Sequence, residues 1–308
     1  MQYLFYTQWQ ALKEYANSKH IQIIGDLPIY VALDSVDVWS SPQDFQLDAD
    51  LNPTEVAGCP PDGFSATGQL WGNPLYDWDA MAQNGYAWWV RRIRHMCSIY
   101  DVVRIDHFRG FAGYYAIPYG NKTAEGGRWR TGPGYALFAA IKKKLGEPRI
   151  IAEDLGFLTD DVNALLRKCG YPGMKVLEFG FDSRDGGDYR PHGYPVNSIA
   201  YVGTHDNEPV NGWMATAAPE DVARAVRYLN LTKQEGYHWG MMRGIWASAA
   251  ELSIVQAQDL LGLGHEARMN TPSTLGGNWC WRAKRGAFND RLAVKLHDLT
   301  ELYGRLPE

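Results

Sequence analysis

Three acidic residues stand at the ends of short apolar segments of this sequence: Asp106, Glu153 and Asp206. If those segments are parallel strands, the three carboxylates meet at one edge of a sheet, because parallel strands end at the same edge. Like charges held together raise the pKa of at least one of them, which places a neutral acid beside an ionised base. The cleavage of a glycosidic bond requires such a pair. Each acid could instead be a helix N-cap or a loop carboxylate, but we favour a shared catalytic role.

Arg104 lies two residues before Asp106, and side chains two apart in a strand share one face. An arginine there lowers the pKa of the carboxyl group and keeps it ionised, which is the state that an anionic nucleophile needs. A buried ion pair that only stabilises the core would have the same spacing. Taken alone, this motif leaves both interpretations open.

Aromatic residues are abundant, with 12 tryptophans and 18 tyrosines. Flat aromatic faces in loops suit the rings of sugars. Trp88 and Trp89 have helical spacing and are expected in the core. Trp71 instead lies among glycine, asparagine and proline, where contact with a ligand is the favoured interpretation.

Six short apolar segments bounded by turn residues are predicted as buried parallel strands. They are residues 21–26, 102–106, 149–153, 174–179, 199–203 and 252–257. Helical patterns alternate with them, which predicts βα units and an α/β fold. Because acids end several different strands, a (β/α)8 TIM barrel is favoured over a doubly wound sheet, whose chemistry concentrates at one switch point. The six strands fall short of the eight of a barrel, and the deficit is on the N-terminal side.

We expect residues 1–308 to form a single catalytic barrel domain. Residues 32–80 have no convincing periodicity and are dense in Pro, Gly, Asp and Asn. This composition predicts a long loop-rich insertion after the first strand. Structureless segments of such length are usually functional.

Composition excludes several other classes of protein. Hydrophobic residues make up 45% and charged residues 21%, which excludes a disordered chain, and a net charge of −5 argues against nucleic acid as a partner. We expect no membrane segment, and the four scattered cysteines indicate neither a disulfide framework nor a zinc site, so the cytoplasm is the expected location. The glycine pattern at residues 262–267 matches a dinucleotide-binding fingerprint, but Pro272 leaves no room for the long helix that should follow it. The calcium-loop-like start at residues 48–52 fails because Pro53 is at the glycine position and Cys59 at the final glutamate position. No cofactor and no metal are therefore expected.

Five segments of the sequence resemble the 4-α-glucanotransferases, also called amylomaltases or disproportionating enzymes, of glycoside hydrolase family 77. They are IIGDLPIYV at 23–31, DGFSATGQLWGNPLY at 62–76, RIDHFRG at 104–110, AEDLG at 152–156 and GTHDN at 203–207. The resemblance spans essentially the whole chain, and the motifs follow one another in the family's order. The segment that contains Trp71 separates this family from ordinary α-amylases.

The resemblance implies a role for each matching residue. Asp106 would be the nucleophile, Glu153 the acid/base, and Asp206 the carboxylate that stabilises the distorted sugar and its transition state. The positions expected to bind substrate are Asp26, Phe64, Gln69, Trp71, Arg104, His107, His205 and Asn207. Of these, Phe64 and Gln69 belong to a candidate lid over the acceptor side. After Asn207 the chain has Glu208, where the family would have threonine.

The resemblance also implies an activity and a strand count. The chain would carry strands three to eight of the barrel with the first two missing. Because the sheet would then have unpaired edges, the chain on its own would be less stable than a complete one and would have weak or no activity. The activity would be transfer of α-1,4-glucan segments from glucan or maltooligosaccharide donors to glucose or maltooligosaccharide acceptors, with retention of configuration. A simple α-glucan hydrolase and a glucan-binding remnant without catalysis are the alternatives. The oligomeric state is left open.

Overall fold

The structure is a computed structural model that describes residues 1–61, 65–156, 158–184, 189–272 and 274–307. The chain divides into two compact units, Met1–Gly173 and Met174–Glu308. Within the described residues no helix is long and apolar enough to cross a membrane.

The first unit contains six α-helices and seven strands within its described residues. The helices are α1 (Gln2–Ser18), α2 (Val36–Ser40), α3 (Trp78–Gln83), α4 (Ala87–Ile99), α5 (Tyr135–Leu145) and α6 (Asp160–Cys169). The strands are β1 (Ile24–Leu27), β2 (Glu55–Cys59), β3 (Gln69–Pro74), β4 (Val102–Ile105), β5 (Gly113–Pro118), β6 (Arg128–Thr131) and β7 (Ile150–Ala152).

A parallel sheet with the order β1-β4-β7 carries the candidate chemistry of this unit. β4 lies in the middle and is buried along its length because helices cover it. In the register of β1 and β4, Asp26 is directly opposite Arg104. Large side chains fill the core around this sheet, including Tyr76, Trp88, Trp89, Phe108 and Phe111. The prediction that Trp88 and Trp89 are core residues is confirmed, since both are buried.

Residues 32–80, which the sequence predicts as a loop-rich insertion, contain more regular structure than their composition indicates. This segment contains α2, β2, β3 and the start of α3, and β2 and β3 join an antiparallel sheet of order β3-β2-β5-β6. Four of the five residues of β2 are buried, so its sequence has no alternation of apolar and polar residues to reveal a strand. Its other partner, β5, follows more than fifty residues later.

The second unit contains the remaining elements among its described residues. Its strands are β8 (Gly173–Val176), which begins at the boundary, β9 (Ser198–Tyr201) and β10 (Leu252–Ile254). Its helices are α7 (Val210–Thr216), α8 (Pro219–Leu229), α9 (Tyr237–Trp246), α10 (Ala257–Leu260) and α11 (Asp290–Leu302). The strand order is β10-β9-β8, and β9 and β10 are parallel.

All six predicted strands are present, and each is shorter than its apolar segment. β8 ends at Val176, because Leu177–Gly180 turns into a 3-10 helix that buries Leu177 and Glu178. The α/β class is therefore confirmed. The six predicted strands lie in two three-stranded sheets, and the structure contains an antiparallel sheet that was not predicted.

Candidate active site

Arg104 holds two carboxylates at the end of the first unit's parallel sheet. Its Nη1 donates to Asp26 Oδ1 at 2.6 Å and to Asp106 Oδ1 at 3.1 Å. The Arg104 side chain is only 10% exposed, whereas those of Asp26 and Asp106 are 46% and 43% exposed. The guanidinium therefore contacts the two acids from the buried side, and the acids themselves stay exposed to a ligand.

The negative charges of neighbouring carboxylates keep Arg104 protonated in spite of its burial. Burial alone lowers the pKa of Arg104, but Asp26, Asp106 and Glu153 together raise it above its ordinary value. A permanent positive charge beside Asp106 favours the ionised form of that carboxyl group. The structure thus contains the Arg104–Asp106 pair that the spacing predicted, with Asp26 as a third member.

Glu153 lies directly after β7, and its pKa is raised above the ordinary value of a glutamate. Burial of its carboxyl group and, after that, the negative charge of Asp106 raise its pKa to about 7. Arg104 and two backbone donors oppose this rise: Leu155 N donates to Oε1 and His107 N donates to Oε2, each at 2.7 Å. Near neutral pH, Glu153 can therefore both give and take a proton.

His107 connects Glu153 to Trp71 of β3. Its backbone has a φ of 51°, in the left-handed region, and this turns its N–H toward Glu153. Burial and the positive charge of Arg109 lower the pKa of the His107 ring to about 3, so the imidazole is neutral. The ring meets Trp71 edge to face, with centroids 4.9 Å apart.

Trp71 and Gln69 lie together on β3. Trp71 Nε1 donates to Gln69 Oε1 at 3.0 Å, and the Trp71 residue is 37% exposed. The first unit thus brings these two residues to the same neighbourhood as His107 and, through it, Glu153. Phe64, the other residue expected in the lid, lies outside the described residues.

Asp206 belongs to the second unit, in a tight turn after β9. Thr204 N and Oγ1 both donate to Asn207 Oδ1 at 2.9 Å, and Asn207 N donates back to Thr204 O at 3.1 Å. His205 Nε2 lies 3.5 Å from Asp206 Oδ2. The second unit therefore groups three of the expected residues, and the carboxamide oxygen of Asn207 is used in shaping the turn.

Two residues beside Asp206 were missed by the sequence analysis. Asn270 Nδ2 donates to Asp206 Oδ1 at 2.6 Å, and Arg268 Nη2 donates to Asp206 O at 2.7 Å. They follow the glycine pattern at residues 262–267, which had been set aside as a failed nucleotide motif. No local periodicity connects them to a turn more than sixty residues earlier.

Among the residues that the structure describes, no group of three or more His, Cys, Asp or Glu side chains is arranged to hold a metal ion.

The sequence signature of the 4-alpha-glucanotransferases, glycoside hydrolase family 77, matches residues 1–288. The chain is 52% identical over 307 residues to a 4-alpha-glucanotransferase of Clostridium butyricum, covering 99% of this chain and 63% of that protein. It is 51% identical over 309 residues to one from Streptococcus pneumoniae serotype 4, with coverage of 100% and 61%.

A solved structure is also similar, the amylomaltase of Streptococcus agalactiae in complex with acarbose. The TM-score is 0.95 at 46% sequence identity, with 99% of this chain and 62% of that chain covered. The chain thus spans a little over 60% of the length of these relatives.

Proposed function

Because the chain belongs to the 4-alpha-glucanotransferases of glycoside hydrolase family 77, we propose that it transfers α-1,4-glucan segments between maltooligosaccharides. The observation that supports this most directly is the pair formed by Asp106 and Glu153. Asp106 is paired with Arg104, and Glu153 has a pKa of about 7. An ionised carboxylate with a partner that is protonated near neutral pH is what a retaining double displacement needs.

In the first step, Asp106 attacks the anomeric carbon of the donor glucan. Glu153 gives its proton to the glycosidic oxygen, the carbon–oxygen bond breaks, and the shortened glucan leaves with a new hydroxyl group. A glucosyl ester of Asp106 remains, and Glu153 is now a carboxylate. Arg104, which contacts both Asp26 and Asp106, holds the nucleophile in place for this attack.

In the second step, a hydroxyl group of the acceptor sugar attacks the same carbon. Glu153 takes the hydroxyl proton, the ester bond to Asp106 breaks, and both carboxyl groups return to their starting states. Transfer exceeds hydrolysis only where water is kept from the ester. Trp71 and Gln69, which contact each other on β3, would supply an aromatic face and an amide for the substrate. The assignment of Gln69 and Phe64 to a lid over the acceptor side rests on the family resemblance.

Asp206 is the third acid of the proposal. Its carboxylate would bind hydroxyl groups of the distorted sugar and favour the positively charged transition state. The donor sugar would also be bound by Asp26, Arg104, His107, His205 and Asn207. Arg104 donates a hydrogen bond to Asp26, and the neutral ring of His107 suits a sugar hydroxyl group.

We further propose that the chain is part of a (β/α)8 barrel. The six strands β1, β4, β7, β8, β9 and β10 would be strands three to eight of a (β/α)8 barrel that forms one catalytic domain. The alternation of these strands with helices supports this, as do acids placed directly after β4 and β7.

A cytoplasmic location remains the expectation from cysteine usage.

Incubation with maltotriose tests the activity. Separation of the products should show a ladder of oligosaccharides both longer and shorter than the substrate. Only shorter products would identify a hydrolase instead. A fluorinated glucosyl donor should add one sugar mass to the peptide that carries Asp106, and glucan binding with neither turnover nor this adduct would identify a non-catalytic glucan-binding protein.

A further inference from the structure

The turn that carries Asp206 is held by a segment that begins more than sixty residues later. Two residues of that segment, Arg268 and Asn270, donate hydrogen bonds to Asp206 itself. Both lie just after a short 3-10 helix at His265–Ala267. All of these residues belong to the second unit, and neither Arg268 nor Asn270 has a place in the reaction proposed above.

Asn270 fixes the side chain of Asp206. Its Nδ2 donates to Asp206 Oδ1 at 2.6 Å, and its backbone N donates to His205 O at 3.1 Å. The other carboxylate oxygen, Oδ2, lies 3.5 Å from His205 Nε2. One oxygen of Asp206 is thereby oriented by an amide, while the side chain as a whole stays 43% exposed.

Arg268 fixes the backbone at the same residue. Its Nη2 donates to Asp206 O at 2.7 Å, and its Nε donates to Asn270 O at 2.9 Å. The planar guanidinium of Arg268 therefore connects the backbone carbonyl of Asp206 to that of Asn270. A charged donor of this kind makes hydrogen bonds roughly twice as strong as neutral ones.

Glu208 anchors the arginine. Its Oε1 accepts from Arg268 Nη1 at 2.6 Å and lies 2.8 Å from His265 Nδ1. The Glu208 and Arg268 side chains are only 13% and 20% exposed, so water competes little for their charges. The guanidinium is thus held on one side by a carboxylate and on the other by the turn.

We propose that Arg268 and Asn270 are positioning residues for Asp206, and that Glu208 is the anchor of Arg268. This inference rests on the proposed function, in which Asp206 stabilises the transition state. Such a group must already be oriented when charge develops, because reorientation during the reaction would cost the stabilisation. The turn's own hydrogen bonds, between Thr204 and Asn207, fix the backbone, whereas Asn270 contacts the carboxylate.

The variant Asn270→Ala tests the side-chain contact, with Asn211→Ala as its matched control. Asn211 Nδ2 also donates one hydrogen bond, to Gly262 O at 2.8 Å, but does not contact Asp206. We expect Asn270→Ala to lower kcat for maltotriose disproportionation about 10- to 100-fold, the loss known for residues that orient a metal ligand through a hydrogen bond of the same kind. KM and the thermal midpoint should change no more than in the control. A fall in the midpoint with kcat preserved would overturn the proposal.

The variant Arg268→Lys tests the backbone contact, and Arg243→Lys is its control. Arg243 has the same chemistry: it donates to Glu235 at 2.7 Å and to Leu229 O at 3.0 Å, away from the Asp206 turn. Both variants lose the planar guanidinium with its several donors and keep the charge. Only Arg268→Lys should lower kcat, and an equal effect of the two variants would show that the network is merely structural.

The double variant with Asp206→Asn separates this proposal from the proposed function. If Asn270 acts through Asp206, adding Asn270→Ala to Asp206→Asn should cause no further loss, and a full additional loss would overturn the positioning role. If Asp206→Asn alone leaves kcat unchanged, the result would contradict the role of Asp206 in the proposed function.

Amide hydrogen exchange tests whether these residues hold the Asp206 turn, and it does so without a measurement of turnover. The exchange of Thr204 and Asn207, whose N–H groups are bonded within the turn, should become faster in Arg268→Lys, which loses the contact to Asp206 O, but not in the two controls. Unchanged exchange in all four variants would overturn the proposal even in an inactive chain.

Discussion

At the scale of single residues, the chemistry of the first unit depends on the different environments of two carboxyl groups. Asp106 is 43% exposed and paired with Arg104, whereas Glu153 is in a more buried setting that raises its pKa to about 7. Such divergence between neighbouring acids is how one site holds an ionised base and a protonated acid at the same pH. Two predictions follow from this pair.

The rate should decline as Glu153 loses its proton. Because the raised pKa keeps the acid protonated up to about pH 7, kcat/KM for maltotriose should be maintained below that pH and fall above it. We expect an alkaline limb with an apparent pKa near 7 in a pH series measured at constant ionic strength. A limb near 4.5, the ordinary value for glutamate, would show that burial does not act on this group as described.

Replacement of the nucleophile should separate binding from chemistry. Asp106→Asn keeps the shape of the side chain and removes the charge, so turnover should disappear while calorimetry still detects maltotriose binding. Asp101→Asn is the control, since Asp101 precedes the other end of β4 and pairs with Lys13 at 3.0 Å. Normal turnover in Asp106→Asn would rule out this assignment.

At the scale of elements, the close packing of β1 against Tyr100 sets the position of Asp26. A Cβ added at Gly25 would overlap the Tyr100 ring. The ring cannot easily move, because Trp9 packs against it with centroids 5.6 Å apart and Trp9 Nε1 donates to Ile99 O. A glycine is therefore required directly before Asp26, for close packing rather than for an unusual φ.

The variant Gly25→Ala should destabilise the first unit by about 1 to 3 kcal/mol, the usual effect of overpacking a filled core. Gly113→Ala is a matched control in β5, since its added Cβ would meet Arg130 O at an ordinary 3.5 Å. Denaturant unfolding of both variants measures the difference. Equal stability of the two would mean that the Tyr100 ring adapts without cost.

At the scale of the whole molecule, buried acids of the second unit should control stability as a function of pH. Burial raises the pKa of Asp259 to about 7, and burial followed by the charges of Asp259 and Glu208 raises the pKa of Glu178 well above its ordinary value. Both residues are at least 97% buried, with exposures of 0% and 3%. In each, one carboxyl oxygen has no hydrogen-bond partner among the described residues.

The sign of the effect follows from these raised values. The folded protein binds the Asp259 proton more tightly than the unfolded chain, whose aspartate has a pKa of about 3.9. The associated stability is complete below about pH 4 and is lost as the pH rises through 7. Acid should therefore stabilise this unit relative to pH 8.

The variant Asp259→Asn should remove this dependence, because asparagine imitates the neutral acid and can still accept from Val210 N. The difference in free energy of unfolding between variant and wild type should shift in the variant's favour by up to about 4 kcal/mol from pH 4 to pH 8. Asp298→Asn, at a side chain that is 71% exposed, serves as the control. A difference that stays constant with pH would contradict the prediction.

The sequence by itself determined the features that depend on neighbours along the chain. The six apolar segments each became a strand, and Arg104 and Asp106 share a face because the period of a strand is two residues. The five motifs identified the family, and most of them lie at the ends of those strands. These features were accessible because local sequence fixes both strand periodicity and motif spacing.

Only the tertiary structure decided the features that depend on distant neighbours and on burial. β2 and β3 form a sheet with β5 and β6, although the sequence of residues 32–80 indicated a loop. Asn270 and Arg268 reach Asp206 across more than sixty residues, and the pKa of Glu153 rises first through burial and only then through Asp106. A linear sequence records neither which loops meet nor which side chains lose contact with water, because both are properties of the packed chain.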